Sequence, residues 1–454
     1  MPVQAQTLRS RRAIRHTAAL LCGAALVVSL VGGCGANSSP SASAGDSGTR
    51  ISLNTPQGLR AKQVMDMLNS DWPIGPPGVR TLAAPDTVDY IATVMDGMWW
   101  ERPYTVAGVD IGAGSATLHL ITSYGARQDI ELHTDDTTMV DKFIVTTQTP
   151  PVHTWADVDA ALQRSGARYS YRVSKVVDGR CEQFAGSNTE QSLPLASIFK
   201  LYVLYAVAEA VKAGTLSWSD TVTITDEGKT VGSSAYDKVP AGTQISVRDA
   251  AQTMISNSDN MATDMLINKV GTRAVERALA DAGHHDPASM TPFPTMHELF
   301  SIGWGEPDLR ERWKNGSPQV RAELLKDTGS RPYEPDPLRT HSPASAYGAE
   351  WYGSAEDICR VHAALQQIST GAAAPVRDIL SALPGIDLDR TQWPYIGAKA
   401  GNLPGELTFS WYAVDRSGQP WVVSLQTNWD RFHGTQTGGW LMSIIKQMFA
   451  MIPA

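Results

Sequence analysis

Three short stretches hold residue types suited to acyl transfer. Ser197-Ile198-Phe199-Lys200 opens an apolar segment, Ile198–Val211, preceded by Pro194. On a helix, positions i and i+3 share a face, so the Ser197 hydroxyl and the Lys200 ammonium would meet. A serine hydroxyl is a weak nucleophile until a base takes its proton. A lysine desolvated at a helix start can have its pKa lowered enough to be that base. The free N–H groups of the same helix start can receive a developing oxyanion. Ser258-Asp259-Asn260 follows, just before the helical pattern Thr263–Val270. Its hydroxyl can pass a proton to a leaving group and its amide can hold a carbonyl; the same trio also suits a helix N-cap. Lys399-Ala400-Gly401 lies on a late apolar strand. A lysine there can draw in an anionic substrate group, and a glycine lets a backbone come close.

The elements that must position these motifs fall into two units. Residues 53–150 read as helices followed by strands. Thr55-Pro56 starts a helix through Leu68, and Ala84-Pro85-Asp86 starts another with Val88, Ile91, Val94 and Met95 on one face. The period then changes to two over Tyr104–Ile111, Ser115–Ser123, Gln128–His133 and Asp141–Thr146, with glycines at the turns. Helices segregated before antiparallel strands predict an α+β domain. It shows no nucleophile–base pair and no metal spacing; His119 and His133 read as strand residues, Trp99 and Trp100 as core or interface. The prolines of Thr147–Val152 mark a break. From 154 to 454 the pattern runs helix (Ala156–Ser165), strands (Tyr169–Val177, Glu182–Phe184), and a mostly helical stretch to about residue 285. Late strands (Ile396–Ala400, Glu406–Val414, Trp421–Thr427) and a helix near Trp440–Ala450 close it. Strands from both ends of this unit must meet in one sheet, with the intervening helices packed on it.

The order and spacing of the three motifs resemble the S-x-x-K, S-D-N, K-T-G set of the penicillin-recognising serine hydrolases, class A β-lactamases and penicillin-binding proteins. Two motifs match fully and the third in two of three positions, over about residues 154–454. With the preceding α+β unit, the chain is similar to two-domain actinobacterial proteins related to the open-reading-frame-12 product of clavulanic acid clusters. That resemblance implies a cystatin- or NTF2-like domain at 53–150. It further implies a β-lactamase/transpeptidase-like domain, an antiparallel sheet flanked by helices with a separate all-helical subdomain, at 154–454. It also implies roles. Ser197 is the acylated nucleophile, Lys200 its proton acceptor, and Ser258 the relay to the leaving group. Asn260, Lys399 and Gly401 serve substrate binding, and the N–H groups of Ser197 and Asn402 form the oxyanion hole. No cofactor and no metal is implied.

Two departures bear on the activity. The stretch Thr291–Phe300 carries no E-x-x-L-N, whose glutamate activates the deacylating water in class A enzymes; His297 and Glu298 lie nearby at an apparent helix start. Ala400 stands where the family has a threonine hydroxyl that helps bind a substrate carboxylate. Both favour an ester, or a lingering β-lactam adduct, over efficient β-lactam turnover. The alternative is a cell-envelope binding lipoprotein whose hydrolase domain is weak or inactive. The gap between Ser258 and Lys399 is also long; its excess, Gly305–Tyr347, rich in proline and charge, reads as a lid or as a solvated loop.

Composition narrows the partners. With 38 Lys and Arg against 46 Asp and Glu, the net charge of −8 argues against a nucleic-acid binder. Four cysteines are too few for a disulfide scaffold. Residues 1–16 hold four arginines and no acid, and Thr17–Val31 is apolar over the length of a signal peptide's central region. The run ends in Leu30-Val31-Gly32-Gly33-Cys34, which resembles a bacterial lipobox and implies cleavage before Cys34 and a diacylglycerol on its thiol. A plain secretory peptide is the alternative. The expected mature protein starts with a flexible Ser/Ala/Gly tether over 34–52 and sits lipid-anchored on the extracytoplasmic side of the cell membrane. Its expected partner is a small ester or β-lactam-like molecule; oligomeric state is left open. So is the pairing of Cys181 with Cys359, 178 positions apart.

Overall fold

A computed structural model of the chain describes residues 50–453, apart from 230, 233 and 234. The leader, Cys34 and nearly all of the tether lie outside the described residues. Among the described residues no helix is long and apolar enough to cross a membrane.

The N-terminal unit runs from helices into a meander of strands. Helix α1 (Pro56–Leu68) begins where the Thr55 hydroxyl takes the Gly58 N–H, with proline in the first turn, where no N–H is needed. Helix α2 (Val88–Trp99) buries Ile91, Met95 and Met98. Strands β1 (Thr105–Gly112), β2 (Ser115–Ile121), β3 (Arg127–Thr134) and β4 (Val140–Thr147) pair antiparallel in chain order. Alternation places Leu118, Leu120, Ile130, Leu132 and Phe143 against the helices. On the other face His119 lies between Asp129 (2.6 Å) and Asp110 (3.1 Å), and His133 meets Glu131 at 2.5 Å. Hydrogen bonds donated by the ring to the two carboxylates raise the His119 pKa above its usual 6.5.

The second unit opens with α3 (Trp155–Arg164), closed at its start by a reciprocal Thr154–Asp157 capping box. Strands β5 (Arg168–Val177) and β6 (Arg180–Ser187) form a hairpin, after which the chain enters the helical block. Its members nearest the motifs are α4 (Lys200–Lys212), α5 (Val247–Ser256), α6 (Asn260–Val270) and α7 (Met296–Trp304). Helix α8 (Ala355–Ile368) leads back to β7 (Tyr395–Leu403), β8 (Glu406–Val414) and β9 (Pro420–Asn428), and α9 (Thr435–Ala450) closes the chain. The sheet order is β7-β8-β9-β5-β6, all antiparallel, so strands from both ends of the unit share one sheet, as the pattern required. Helices α3 and α9 cover one face through Val158, Leu162, Trp440, Ile444 and Met448. Helix α8 covers the other, where Cys359 and Ala363 meet Val176, Tyr412 and Val422. A disulfide joins Cys181 on β6 to Cys359 on α8, settling a pairing that spacing alone left open.

Residues 305–347 are neither a lid nor a solvated loop. They form two short helices, Arg310–Lys314 and Pro318–Gly329, and bury Leu309, Trp313, Leu324 and Leu325 in the helical core. The indoles of Trp304 and Trp313 donate to Ser342 O and Gly348 O, both at 2.8 Å. Proline and charge density hid this because the apolar anchors are few and widely spaced.

The two units are joined through buried contacts. The Glu101 carboxylate, fully buried, takes the N–H (3.0 Å) and hydroxyl (2.7 Å) of Thr437 in the first turn of α9. A helix N-terminus favours negative charge, yet burial pushes the Glu101 pKa up to about 7. Trp100 stacks on His341 of the 305–347 segment, with ring centroids 4.5 Å apart.

Candidate active site

The chain approaches Ser197 along a tightly held path. Leu193 and Pro194 pair antiparallel with Gly353 and Tyr352, and Leu195 N donates to Trp351 O at 2.8 Å. Ala196 then adopts φ +42°, a left-handed conformation that costs a non-glycine residue roughly 1 kcal/mol or more. Ser197 follows in a single 3-10 turn, Ala196–Phe199, and α4 begins at Lys200. The sequence pattern predicted one continuous helix here; the tighter turn still keeps i and i+3 on one side, because 3-10 geometry repeats every three residues. Phe199 stacks on Trp351 with centroids 3.7 Å apart and fixes the turn from below.

Three motifs converge around one hydroxyl. The Lys200 ammonium, fully buried, donates to Ser258 O (2.6 Å), to Asn260 Oδ1 (2.8 Å) and, more weakly, to Ser258 Oγ (3.4 Å). The Lys399 ammonium donates to Ser258 Oγ at 3.0 Å and to Ala400 O at 2.5 Å. Ser258 is thus the bridge between two buried lysines, and it too has a positive φ, +56°. Asp259 does what a cap does: its carboxylate takes the Ala262 N–H at 2.8 Å and starts α6. Asn260 Nδ2 donates to Val231 O at 2.9 Å, so the amide faces Lys200 with its oxygen. Two ammonium groups sharing one hydroxyl in a dry site repel each other. Burial first, and the Lys200 charge second, hold the Lys399 pKa well below its usual value.

Gly401 brings the strand to Ser197. A Cβ there would stand 2.5 Å from Ser197 N, 2.7 Å from Thr408 Oγ1 and 2.9 Å from Ala196 Cβ, so only a glycine fits. Asn402 follows on β7, the edge strand of the sheet, and both Asn402 and Ala400 are exposed. The buried neighbours of this strand were not legible beforehand. Thr408 donates to Leu195 O at 3.0 Å, and Ser410 donates to Lys399 O at 2.8 Å while taking a hydrogen bond from His362 Nε2 at 2.9 Å. His362 is fully buried, and burial pushes its pKa down to about 3, so it is a neutral donor. These residues act on main-chain groups beneath the site, and no short motif marks them.

His297 and Glu298 stand at a helix start, as expected, in the first turn of α7. Glu298 is the carboxylate of a capping box: it takes the Thr295 N–H at 2.8 Å while the Thr295 hydroxyl takes its own N–H. His297 Nε2 lies 2.9 Å from Arg331 O. Both line a cavity of about 740 Å³ between α6 and residues 295–332, together with Asp264, whose carboxylate takes the N–H groups of Met296 and His297. Burial raises the Asp264 pKa to about 7. Neither Ser197 nor Lys200 lines this chamber.

His284, His285 and Asp357 are a cluster of metal-ligating types, but their atoms are engaged. Asp357 takes hydrogen bonds from Ser354 N, Ser354 Oγ and both His285 N and Nδ1. His284 takes the Asp286 N–H on Nδ1 and donates through Nε2 to Tyr352 O. The cluster ties the start of α8 to the strand beside Ser197.

Comparison with known proteins agrees with this architecture. Residues 154–382, half of the chain, match the profile of the beta-lactamase enzyme family, and residues 53–140 match that of the ORF 12 gene product N-terminal. No curated protein matches the chain. Among solved structures, a beta-lactamase from Sphaerobacter thermophilus is 20% identical, over 66% of this chain and 98% of its own, with a TM-score of 0.46. PBP-A, solved as an acyl-enzyme with penicillin G, is 15% identical over 66% of this chain and 96% of its own, with a TM-score of 0.43. The chromosome-encoded beta-lactamase of Vibrio parahaemolyticus is 16% identical over 65% and 96%, also at 0.43. With half its length matched by that one profile, this chain belongs to the beta-lactamase enzyme family.

Proposed function

We propose that the protein is a serine hydrolase that works through an acyl-enzyme on an ester or a β-lactam-like amide, with esters preferred. In this reading Ser197 attacks the carbonyl carbon and its proton passes to Lys200 Nζ in its neutral amine form. The oxyanion rests between the N–H groups of Ser197 and Asn402. Ser258 then hands a proton to the leaving group, and Lys399 holds an anionic substrate group nearby. The observation that carries it is the Lys200–Ser258–Lys399 bridge, in which the Ser258 hydroxyl lies 3.4 Å from Lys200 Nζ and 3.0 Å from Lys399 Nζ. A hydroxyl between two amines, one of them with a strongly lowered pKa, is a proton relay.

Deacylation is the slow step of this scheme. Glu298 is committed to its helix cap, and Ala400 offers no hydroxyl to a substrate carboxylate. A β-lactam adduct should therefore persist, whereas a small ester, with its more mobile acyl group, should turn over. The further parts of the reading are a lipid on Cys34 holding the enzyme outside the membrane and a cystatin-like scaffold role for the N-terminal unit. They rest on the leader sequence and on the helix-then-meander order of residues 56–147.

The test is intact-protein mass spectrometry after incubation with nitrocefin and with p-nitrophenyl acetate. The expected result is one acyl group on Ser197, long-lived for the β-lactam and lost in Ser197→Ala. Equal labelling of the Ser197→Ala protein, or none of the wild type, rejects the reading in favour of a binding lipoprotein.

A further inference from the structure

Two glutamates that the scheme above does not use lie against the turn that carries the nucleophile. Glu350 and Glu406 are 6% and 2% exposed, and each has a side-chain oxygen without a hydrogen-bond partner when both are counted as carboxylates. Their carboxyl groups interact directly with each other. Two buried acceptors cannot satisfy one another, but a carboxyl O–H donating to a carboxylate can.

The placement of the pair is specific. Glu350 takes the Trp351 N–H at 2.7 Å, and the Ala196 N–H also acts on its carboxyl. Trp351 O in turn takes the Leu195 N–H at 2.8 Å. Glu406 starts β8, the strand whose Thr408 hydroxyl takes hold of Leu195 O and lies 3.2 Å from Gly401 O. Glu350 therefore bears on the Leu195–Ala196 corner directly, and Glu406 through its contact with Glu350 and through the strand that it starts, at the residue whose left-handed φ precedes Ser197.

We infer that Glu350 and Glu406 share a proton and together act as positioning residues, holding Ala196 so that the Ser197 hydroxyl and N–H face the substrate. The inference rests on the proposed acyl-enzyme reading. Burial raises both pKa values, that of Glu406 to about 7, and the neighbouring carboxyl adds to the rise at Glu350, which stands well above its usual 4.5; a proton on Glu350 gives both orphaned oxygens a partner. The other groups facing the pair are the Arg168 cation, which acts on Glu406, the Tyr352 phenol, and the neutral Ser345 and Asn428, hydrogen-bonded to each other at 3.1 Å. One positive charge stands near, which suits a pair with a single negative charge and not two.

The experiment compares Glu350→Gln, Glu350→Ala and wild type with a fluorophosphonate probe and by infrared difference spectroscopy. A glutamine keeps the geometry of a protonated acid, donating to Glu406 and accepting the backbone N–H. Glu350→Gln is expected to be acylated within about threefold of wild type, and Glu350→Ala about a hundredfold more slowly, with the concentration for half-maximal rate unchanged. The wild-type-minus-Glu350→Gln difference should show a protonated-carboxyl stretch at about pH 7, with Glu101 and Asp264 cancelling because both proteins carry them. Glu350→Ala that remains folded by thermal melting and is acylated at the wild-type rate overturns the inference. So does Glu350→Gln as slow as Glu350→Ala, or an infrared difference that lacks the band. If Glu350→Ala does not fold, the glutamine variant and the band decide. Wild type that no probe labels overturns the hydrolase reading itself, and the positioning role with it.

Discussion

The sheet of residues 105–147 takes its four strands in chain order, each joined to the next by a short turn. The sheet of the second unit joins β9 to β5, bringing Val423 opposite Val173 across the whole helical block. The first sheet buries one face and leaves the other to paired charges such as Asp110–His119–Asp129. The second buries both, under α3 and α9 on one side and α8 on the other. Where one face meets water, polar side chains find partners cheaply and gather no unusual chemistry. Where both faces are dry, every polar group must be satisfied from within, and a few, such as Lys399, are held far from their ordinary pKa. Long-range closure is also what carries Lys399 to Ser258, 141 positions away.

If the reactive network belongs only to the second sheet, its members should fail together. Lys200→Ala removes the proposed base and the charge that sits on Ser258, and is expected to slow acylation on the order of a thousandfold, read by stopped-flow labelling. Gly401→Ala places a methyl 2.5 Å from Ser197 N, which forces β7 and the nucleophile turn apart. About a hundredfold loss of acylation is expected, together with a lower melting temperature. Reducing the Cys181–Cys359 bridge should lower stability of the second unit by about 2 to 4 kcal/mol in urea unfolding. The sheet of residues 105–147, which holds no cysteine, should keep its own transition.

The smallest expected effect tests the junction between the two units. Glu101 has a folded pKa raised to about 7 from 4.5. The folded state thus binds more protons than the unfolded chain between those values. Stability falls as pH rises from about 4.5 to about 7 and is level beyond, by at most about 3 kcal/mol. Glu101→Gln should flatten that slope relative to wild type in denaturant titrations at several pH values. An unchanged slope would mean that the junction does not sense the carboxyl's charge.

Much of the framework was readable along the chain. Alternation located β1 to β4 to within a few residues, because one face is dry and the other wet; β7 to β9, buried on both faces, were placed as late apolar strands. Thr55-Pro56 marked a helix start through the chemistry of capping, whereas the helix expected from Ala156 starts at Trp155 under a Thr154 cap that only the structure showed. The segment 305–347 misled, since its buried Trp313, Leu324 and Leu325 are spread among proline and charge. Glu350, Glu406, Thr408 and His362 were invisible: Glu350 and Thr408 hold main-chain groups, and His362 and Glu406 meet side chains, that only folding brings near, and no spacing encodes that.

By itself the sequence offered side chains suited to acyl transfer, a hydroxyl and an amine three residues apart at the start of one apolar segment. Only the tertiary structure decided that the two lysines share the Ser258 hydroxyl, that Ala196 is bent left-handed, and that Gly401 must lack a side chain. Those facts depend on burial and on distances between segments far apart in the chain, and neither quantity exists until the sheet has closed.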